Sequence, residues 1–207
     1  MRETPPVQVF LVDDERDVTD ALMWLLESVK IASRSFDNAE SFVQALRDAR
    51  VPVCAVLDLR MPVVSGLELQ QQLIDEGIDV PLIFLSAHGD VPAAVNAMQH
   101  GAIDFLQKPF NSQAFLHSVN RLVKLAAAHY ERKQQAQGVQ QLLARLSRRE
   151  LEVLDGLLAG QTSKHLAKTL GISPKTIDVH RASVMRKLLV SSSTELLKLV
   201  GPARSIA

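Results

Sequence analysis

The stretch "AVLDLRMPVV", residues 55–64, sets a carboxylate, Asp58, directly after an apolar run, with Pro62 soon behind it to end any regular hydrogen-bonding pattern. A charge at the lip of a buried segment costs desolvation energy unless something pairs with it. Other polar groups close apolar runs in the same way: Asp13 and Asp14 after "VFLV", Ser86 at the end of "PLIFLS", and Lys108 after "DFLQ". If these runs lie side by side, three carboxylates, a hydroxyl and an ammonium converge on one spot. Packed acids repel one another, and a hard divalent cation resolves the repulsion. Carboxylate oxygens, a backbone carbonyl and waters in an octahedron describe Mg²⁺. With Asp13 and Asp14 neutralised, Asp58 stays ionised and becomes a nucleophile towards phosphorus. Lys108 and Ser86 then bind the transferring oxygens, since phosphoryl transfer is mainly positioning and charge stabilisation.

Such convergence needs strands that end together. The runs 7–12, 31–36, 53–58, 81–86 and 103–107 are short and, except for the second, nearly continuous in apolar residues, the pattern of buried parallel strands. Helical patterns alternate with them. "DALMWLLESV" carries an apolar stripe, Ser65-x-x-Glu68 is a capping box, Pro92 suits a first helical turn, and Asn111 caps the next helix. Five strand–helix pairs imply right-handed crossovers with helices on both faces of a parallel sheet. Ligands bind such sheets at the C-terminal lips of the strands, where the strand order reverses.

Zero net charge conceals two different halves. Residues 1–128 carry 10 Lys and Arg against 17 Asp and Glu, whereas residues 142–207 carry 11 against 5. The acidic front suits cations and the basic rear suits phosphates. From 124 to 146 the sequence turns rich in Ala and Gln, read as a helical extension and linker. Behind it, Ser147-x-x-Glu150 is a second capping box. "TSKHLAKTLG" ends on Gly171, and "SPKTIDVHRASVMRKLL" opens with Ser173 as N-cap and Pro174 at the first helical position; "SSTELLKLV" follows. These are four short helices without strands. On the third, Ile177, Val184 and Leu188 share a core face flanked by His180 and Arg181. Lys175, Val179, Ala182 and Arg186 lie opposite, a face of cations and small apolar groups suited to a major groove. With the helix before it, this makes a helix-turn-helix.

No apolar stretch approaches the roughly 20 residues of a membrane span, and the N-terminus lacks the pattern of a secretory signal. A cytoplasmic protein is expected, and Cys54, the single cysteine, reads as a small core residue. His88 reads as a loop residue beside the carboxylates. His100, His117 and His129 show no ligand spacing, and Trp24 reads as helix-face packing.

"VDDE", "LDLRMP" followed by "SGLEL", "LSAHGD" and "DFLQKPF" together resemble the receiver domain of two-component response regulators over residues 6–124. The resemblance implies a flavodoxin-like, doubly wound, five-stranded parallel sheet. It implies Asp58 as phosphoacceptor, Mg²⁺ held by Asp13, Asp14, Asp58 and the Arg60 carbonyl, and phosphate bound by Ser86 and Lys108. It further implies Phe105 as a switch aromatic and a cis peptide bond at Lys108-Pro109. Residues 143–200 strongly resemble the four-helix DNA-binding domain of LuxR- and NarL-type regulators, which implies DNA contacts from Lys175, Thr176, Asp178, Val179, His180, Arg181, Ala182 and Arg186. Ala182 stands where some relatives have Lys, and Asp178 is acidic on a helix that approaches phosphate. Asp178 is compatible with accepting from cytosine or with orienting a neighbouring Arg. The whole chain resembles the FixJ-like branch, with a receiver at 1–124, a helical linker at 125–142 and a DNA-binding domain at 143–207. The implied function is a transcriptional regulator, expected as an activator. A sensor histidine kinase phosphorylates it, it then dimerises on promoter DNA, and RNA polymerase is a further expected partner.

Two other classes fit the sequence less well. An aspartyl phosphatase needs a second Asp two residues after its nucleophile, and here that residue is Arg60; the chain is therefore not expected to be an enzyme. A protein-interaction module without DNA binding leaves the basic rear half unexplained.

Overall fold

The computed structural model of the protein describes residues 5–87 and 91–204, with the side chains of 202–204 left aside. His88 lies outside the described residues. Two compact units divide the chain, Met1–Glu131 and Arg132–Ala207.

In the first unit five parallel strands, β1 (Gln8–Val12), β2 (Ala32–Phe36), β3 (Val53–Asp58), β4 (Leu82–Ser86) and β5 (Asp104–Gln107), form one sheet in the order β2-β1-β3-β4-β5. The chain moves outward from β1 to β2 and then crosses to β3, so the strand order reverses between β1 and β3. Alternation along the strands explains the two apolar layers. Val9 and Leu11 of β1, with Cys54 and Val56 of β3, pack under α1 (Arg16–Ser28) and under Phe115, Val119 and Leu122 of α5 (Ser112–Leu143). Phe10, Val12, Ala55 and Leu57 face the other way. They meet Phe42 of α2 (Ala39–Asp48), Leu69 and Leu73 of α3 (Gly66–Asp75) and Ala97 of α4 (Val91–Gln99). β2 is the exposed edge expected of its polar residues.

The capping box at Ser65 forms in both directions, and the Asn111 side chain accepts from the Ala114 amide. α5 runs unbroken for 32 residues through the stretch expected as a linker. Trp24 corrects an expectation: it is 73% exposed on α1, while Leu22 and Leu26 supply the face that packs. At about 100° per residue Trp24 lies roughly 180° from the midpoint of Leu22 and Leu26, on the face of α1 opposite the core.

The second unit holds α6 (Arg148–Leu158), α7 (Ser163–Leu170), α8 (Pro174–Lys187) and α9 (Ser193–Arg204). Its core joins Leu146, Leu154, Val184, Leu188, Leu196 and Val200, with Val153, Leu166, Ala167 and Ile177 beside it. Ser147 closes its capping box with Glu150, Ser173 caps α8 by accepting from Thr176, and Gly171 ends α7 in the left-handed conformation at φ 65°. Gly156 is required by a close approach, since a Cβ there would collide with the Leu166 side chain.

Candidate phosphoacceptor site and nucleic-acid interface

Strand register brings the lip residues together. Val12 pairs with Leu57, so Asp13 and Asp58 extend adjacent strands at the point where the order reverses. Asp58 pairs with Leu85 and Ser86 with Gln107, which sets Ser86 and Lys108 on the next two lips. The Lys108 amide donates to the Ser86 carbonyl at 2.7 Å, and the Lys108-Pro109 bond is cis.

Asp58 is 6% exposed. One carboxylate oxygen accepts from the Lys108 ammonium at 2.7 Å, the other from the Arg60 amide at 2.7 Å. The same ammonium donates to Asp13 at 2.8 Å, and the Glu15 amide holds the remaining Asp13 oxygen at 2.9 Å. Burial pushes the Asp58 carboxyl above its ordinary range, against the Lys108 and Arg60 hydrogen bonds, and Asp13 adds to the rise. Burial opposes the Lys108 charge too, but its bonds to Asp13 and Asp58 outweigh that and hold the ammonium above its usual value. An acid partly desolvated and joined to a shared cation is the arrangement expected where charge will move.

Asp14 is exposed, at the same lip. Among the described residues no group of three His, Cys, Asp or Glu side chains is gathered as a metal-binding set. Lys108 lies between the two buried acids instead. The donor chemistry nonetheless fits a hard cation, because Asp13 and Asp58 present carboxylate oxygens close enough to share one ammonium. Phe105 is half-buried on β5, with its ring centroid 6.3 Å from that of Phe84.

Gly66 was not singled out by sequence reasoning. A Cβ at this position would strike the Asp58 carbonyl oxygen and the Phe84 ring, so only glycine lets α3 start against the end of β3. The signal was present in "SGLE", but as a helix opening and not as a steric demand.

In the second unit Lys175, Thr176, Asp178, Val179, Arg181, Ala182 and Arg186 are exposed on α8, and His180 is half-buried. Val179 is 63% exposed, an apolar group facing solvent beside cations. Three of the eight have intradomain partners: Asp178 accepts from the Ser163 hydroxyl at 2.9 Å, Arg181 donates to Ser193 at 3.1 Å, and Thr176 meets the Ser173 hydroxyl at 2.8 Å. Asp178 therefore ties α7 to α8. Glu150, expected only to close a capping box, is also 5% exposed and joins α6 to α8. It accepts from the Ser147 amide at 2.7 Å, Ser183 at 2.7 Å and Lys187 at 2.6 Å. Those hydrogen bonds, from Lys187 first, lower its carboxyl to about 2. Ser183 and Lys187 lie far from Glu150 in sequence, so no local pattern announced them.

A switch-point carboxylate site and a helix-turn-helix together define a signal receiver coupled to a DNA-binding unit. Residues 9–120 match the response regulator receiver domain, and residues 144–200 match the bacterial regulatory proteins of the luxR family. The transcriptional regulatory protein TdiR of Thauera aromatica is 44% identical over 93% of this chain and 84% of its own length. The transcriptional regulatory protein FixJ of Bradyrhizobium diazoefficiens is 37% identical, over 92% of this chain and 93% of that protein. Among solved structures, the response regulator StyR matches with a TM-score of 0.80 at 39% identity, covering 95% of this chain and 99% of that one. The chain belongs to the two-component response regulators that join a receiver domain to a LuxR-type DNA-binding domain, and its relatives are transcription regulators. A phosphodonor kinase and DNA are the partners such domains imply, and receiver domains generally use Mg²⁺ in phosphorylation. Among the described residues no helix is long and apolar enough to cross a membrane.

Proposed function

We propose that Asp58 accepts a phosphoryl group from the phosphohistidine of a sensor kinase, and that this controls promoter binding by the second unit. The observation that carries it is the shared ammonium, with Lys108 holding Asp13 at 2.8 Å and Asp58 at 2.7 Å at the sheet's switch point. An Asp58 oxygen forms the new O–P bond as the N–P bond of the donor breaks, leaving an acyl phosphate and a neutral imidazole. Asp13, Asp14, Asp58 and the Arg60 carbonyl would hold Mg²⁺, which when bound supplies positive charge at the transferring oxygens. Lys108 then turns from the carboxylates to a phosphoryl oxygen, Ser86 donates to another, and Phe105 follows Ser86 inward as the switch.

The same reading assigns residues 1–124 to the receiver, 125–142 to a helical linker and 143–207 to the DNA-binding domain. Lys175, Thr176, Val179, His180, Arg181, Ala182 and Arg186 meet the bases or backbone of the major groove. Asp178 serves this surface through Ser163. The phosphorylated chain dimerises, because one helix-turn-helix makes a small interface and useful specificity needs two half-sites. Val91, Val95 and Met98, exposed on one face of α4, support a pairing surface on the receiver, and exposed Leu197 on α9 supports one on the DNA-binding unit. The protein then acts as a cytoplasmic activator with RNA polymerase as a partner, and not as an enzyme.

Asp58→Asn tests this directly. With a small phosphodonor and Mg²⁺ the parent takes up acid-labile label, doubles in mass by light scattering and gains DNA affinity. The variant does none of these while keeping its fold. Undiminished labelling of the variant would remove Asp58 as the acceptor.

A further inference from the structure

α4 is held unevenly. Of its nine residues only Ala97, near the C-terminal end, is buried; towards the N-terminal end Val91 and Val95 are 69% and 50% exposed and Ala93 is half-buried against the core. The last turn closes as a Schellman motif: the Gly101 amide donates to the Met98 carbonyl at 3.1 Å and the Ala102 amide to the Ala97 carbonyl at 3.0 Å, with Gly101 at φ 91°. That motif leaves the His100 carbonyl without a backbone donor. Gln70 of α3, 3% exposed, supplies one. Its side-chain amide donates to the His100 carbonyl at 3.1 Å and also to the Ala97 carbonyl at 3.2 Å. A buried side chain on one helix thus caps the end of another, thirty residues on.

We propose that Gln70 is a positioning residue that clamps the C-terminal turn of α4 and so fixes the pivot of this helix. The chain enters α4 from the segment that follows Ser86, at the helix's exposed Val91 end. Resting on the reading of Asp58 as phosphoacceptor, any adjustment at Ser86 therefore reaches α4 at its Val91 end while the clamped end stays in place. The helix swings about Gln70 and does not slide. Its apolar row, Val91, Val95 and Met98, turns with it.

Amide hydrogen exchange on the full chain decides this, with Gln70→Met removing both donors at similar volume. Gln70→Lys restores a donor; a groove of about 310 Å³, lined by Gln70, Leu73, Ile78, Val80, His100 and Gly101, gives its longer stem room. In the unmodified protein the amides of Gly101 and Ala102 should exchange at least tenfold faster in the Met variant and return towards the parent rate in the Lys variant. Exchange as slow in Gln70→Met as in the parent overturns the clamp. With beryllofluoride and Mg²⁺ as the phosphoryl mimic, the parent should change protection in residues 91–96 and not at 101–102. In Gln70→Met the change should spread to both ends. A parent that changes equally at both ends overturns the pivot. Labelling of Asp58 by a small phosphodonor should be the same in all three proteins, which a general loss of structure would not allow. A parent that takes no label instead overturns the reading of Asp58, and the clamp is then decided by exchange in the unmodified chain alone.

Discussion

Each unit buries carboxylate against a lysine, Asp13 and Asp58 in the first and Glu150 in the second, and the two sites are built to opposite ends. Glu150 receives an amide, a hydroxyl and an ammonium, and among the described residues no other acid shares Lys187, which also donates to the Arg145 carbonyl. Its carboxyl falls to about 2 and its charge is committed. Asp58 has one amide and an ammonium that it shares with Asp13, and burial raises its carboxyl in spite of them. A fully satisfied buried charge joins helices; an under-satisfied one is available for reaction. The number of donors and the sharing of the lysine with a second acid, not the presence of a lysine, separate the two.

Deleting each lysine is the sharpest way to break this comparison. Lys108→Ala should slow labelling of Asp58 by a small phosphodonor more than tenfold, about 1.4 kcal/mol or more in the barrier, with little change in the thermal midpoint of either unit. Lys187→Ala should leave labelling untouched and cost the second unit about 2 kcal/mol, the worth of a hydrogen bond to a charged group, read by denaturant unfolding. The reverse pattern would mean the two sites have been assigned the wrong way round.

Acid sharpens the contrast. A carboxyl lowered on folding contributes stability that is present above its unfolded value and is lost as pH falls towards its folded value. For Glu150 that window runs from 4.5 down to about 2. The stability difference between parent and Glu150→Gln should be largest near neutrality and shrink steadily below pH 4.5, measured by urea titration at several pH values. Asp58 is displaced in the other direction, so protonation there relieves a strain and Asp58→Asn should show no such loss on acidification. A constant gap between parent and Glu150→Gln from neutral pH to pH 3 would contradict the committed charge.

The smallest expected effects lie on α8. Arg186→Ala should weaken binding to all DNA sequences and make the salt dependence shallower by about 1 in slope, one lost phosphate contact. Val179→Ala should instead alter sequence preference, its methyl groups meeting a thymine. Binding isotherms on a selected site and on random DNA at several salt concentrations separate the two. Identical slopes and preferences in both variants would remove α8 as the reading surface.

Alternating apolar runs and caps were enough to set out the strands, the two apolar layers and the four rear helices, because period and capping act over a few residues. The order of lip groups along the chain was enough to nominate Asp13, Asp58, Ser86 and Lys108, since a parallel sheet must bring strand ends to one side. Tertiary structure alone decided what each group touches. It put Lys108 between two acids, turned Trp24 outward, tied Asp178 to Ser163, made Gly66 a steric necessity, and gave Glu150 and Gln70 partners about thirty residues away. Such pairings depend on where separate helices cross, and no local periodicity encodes the distance between two side chains that meet only after the chain has folded.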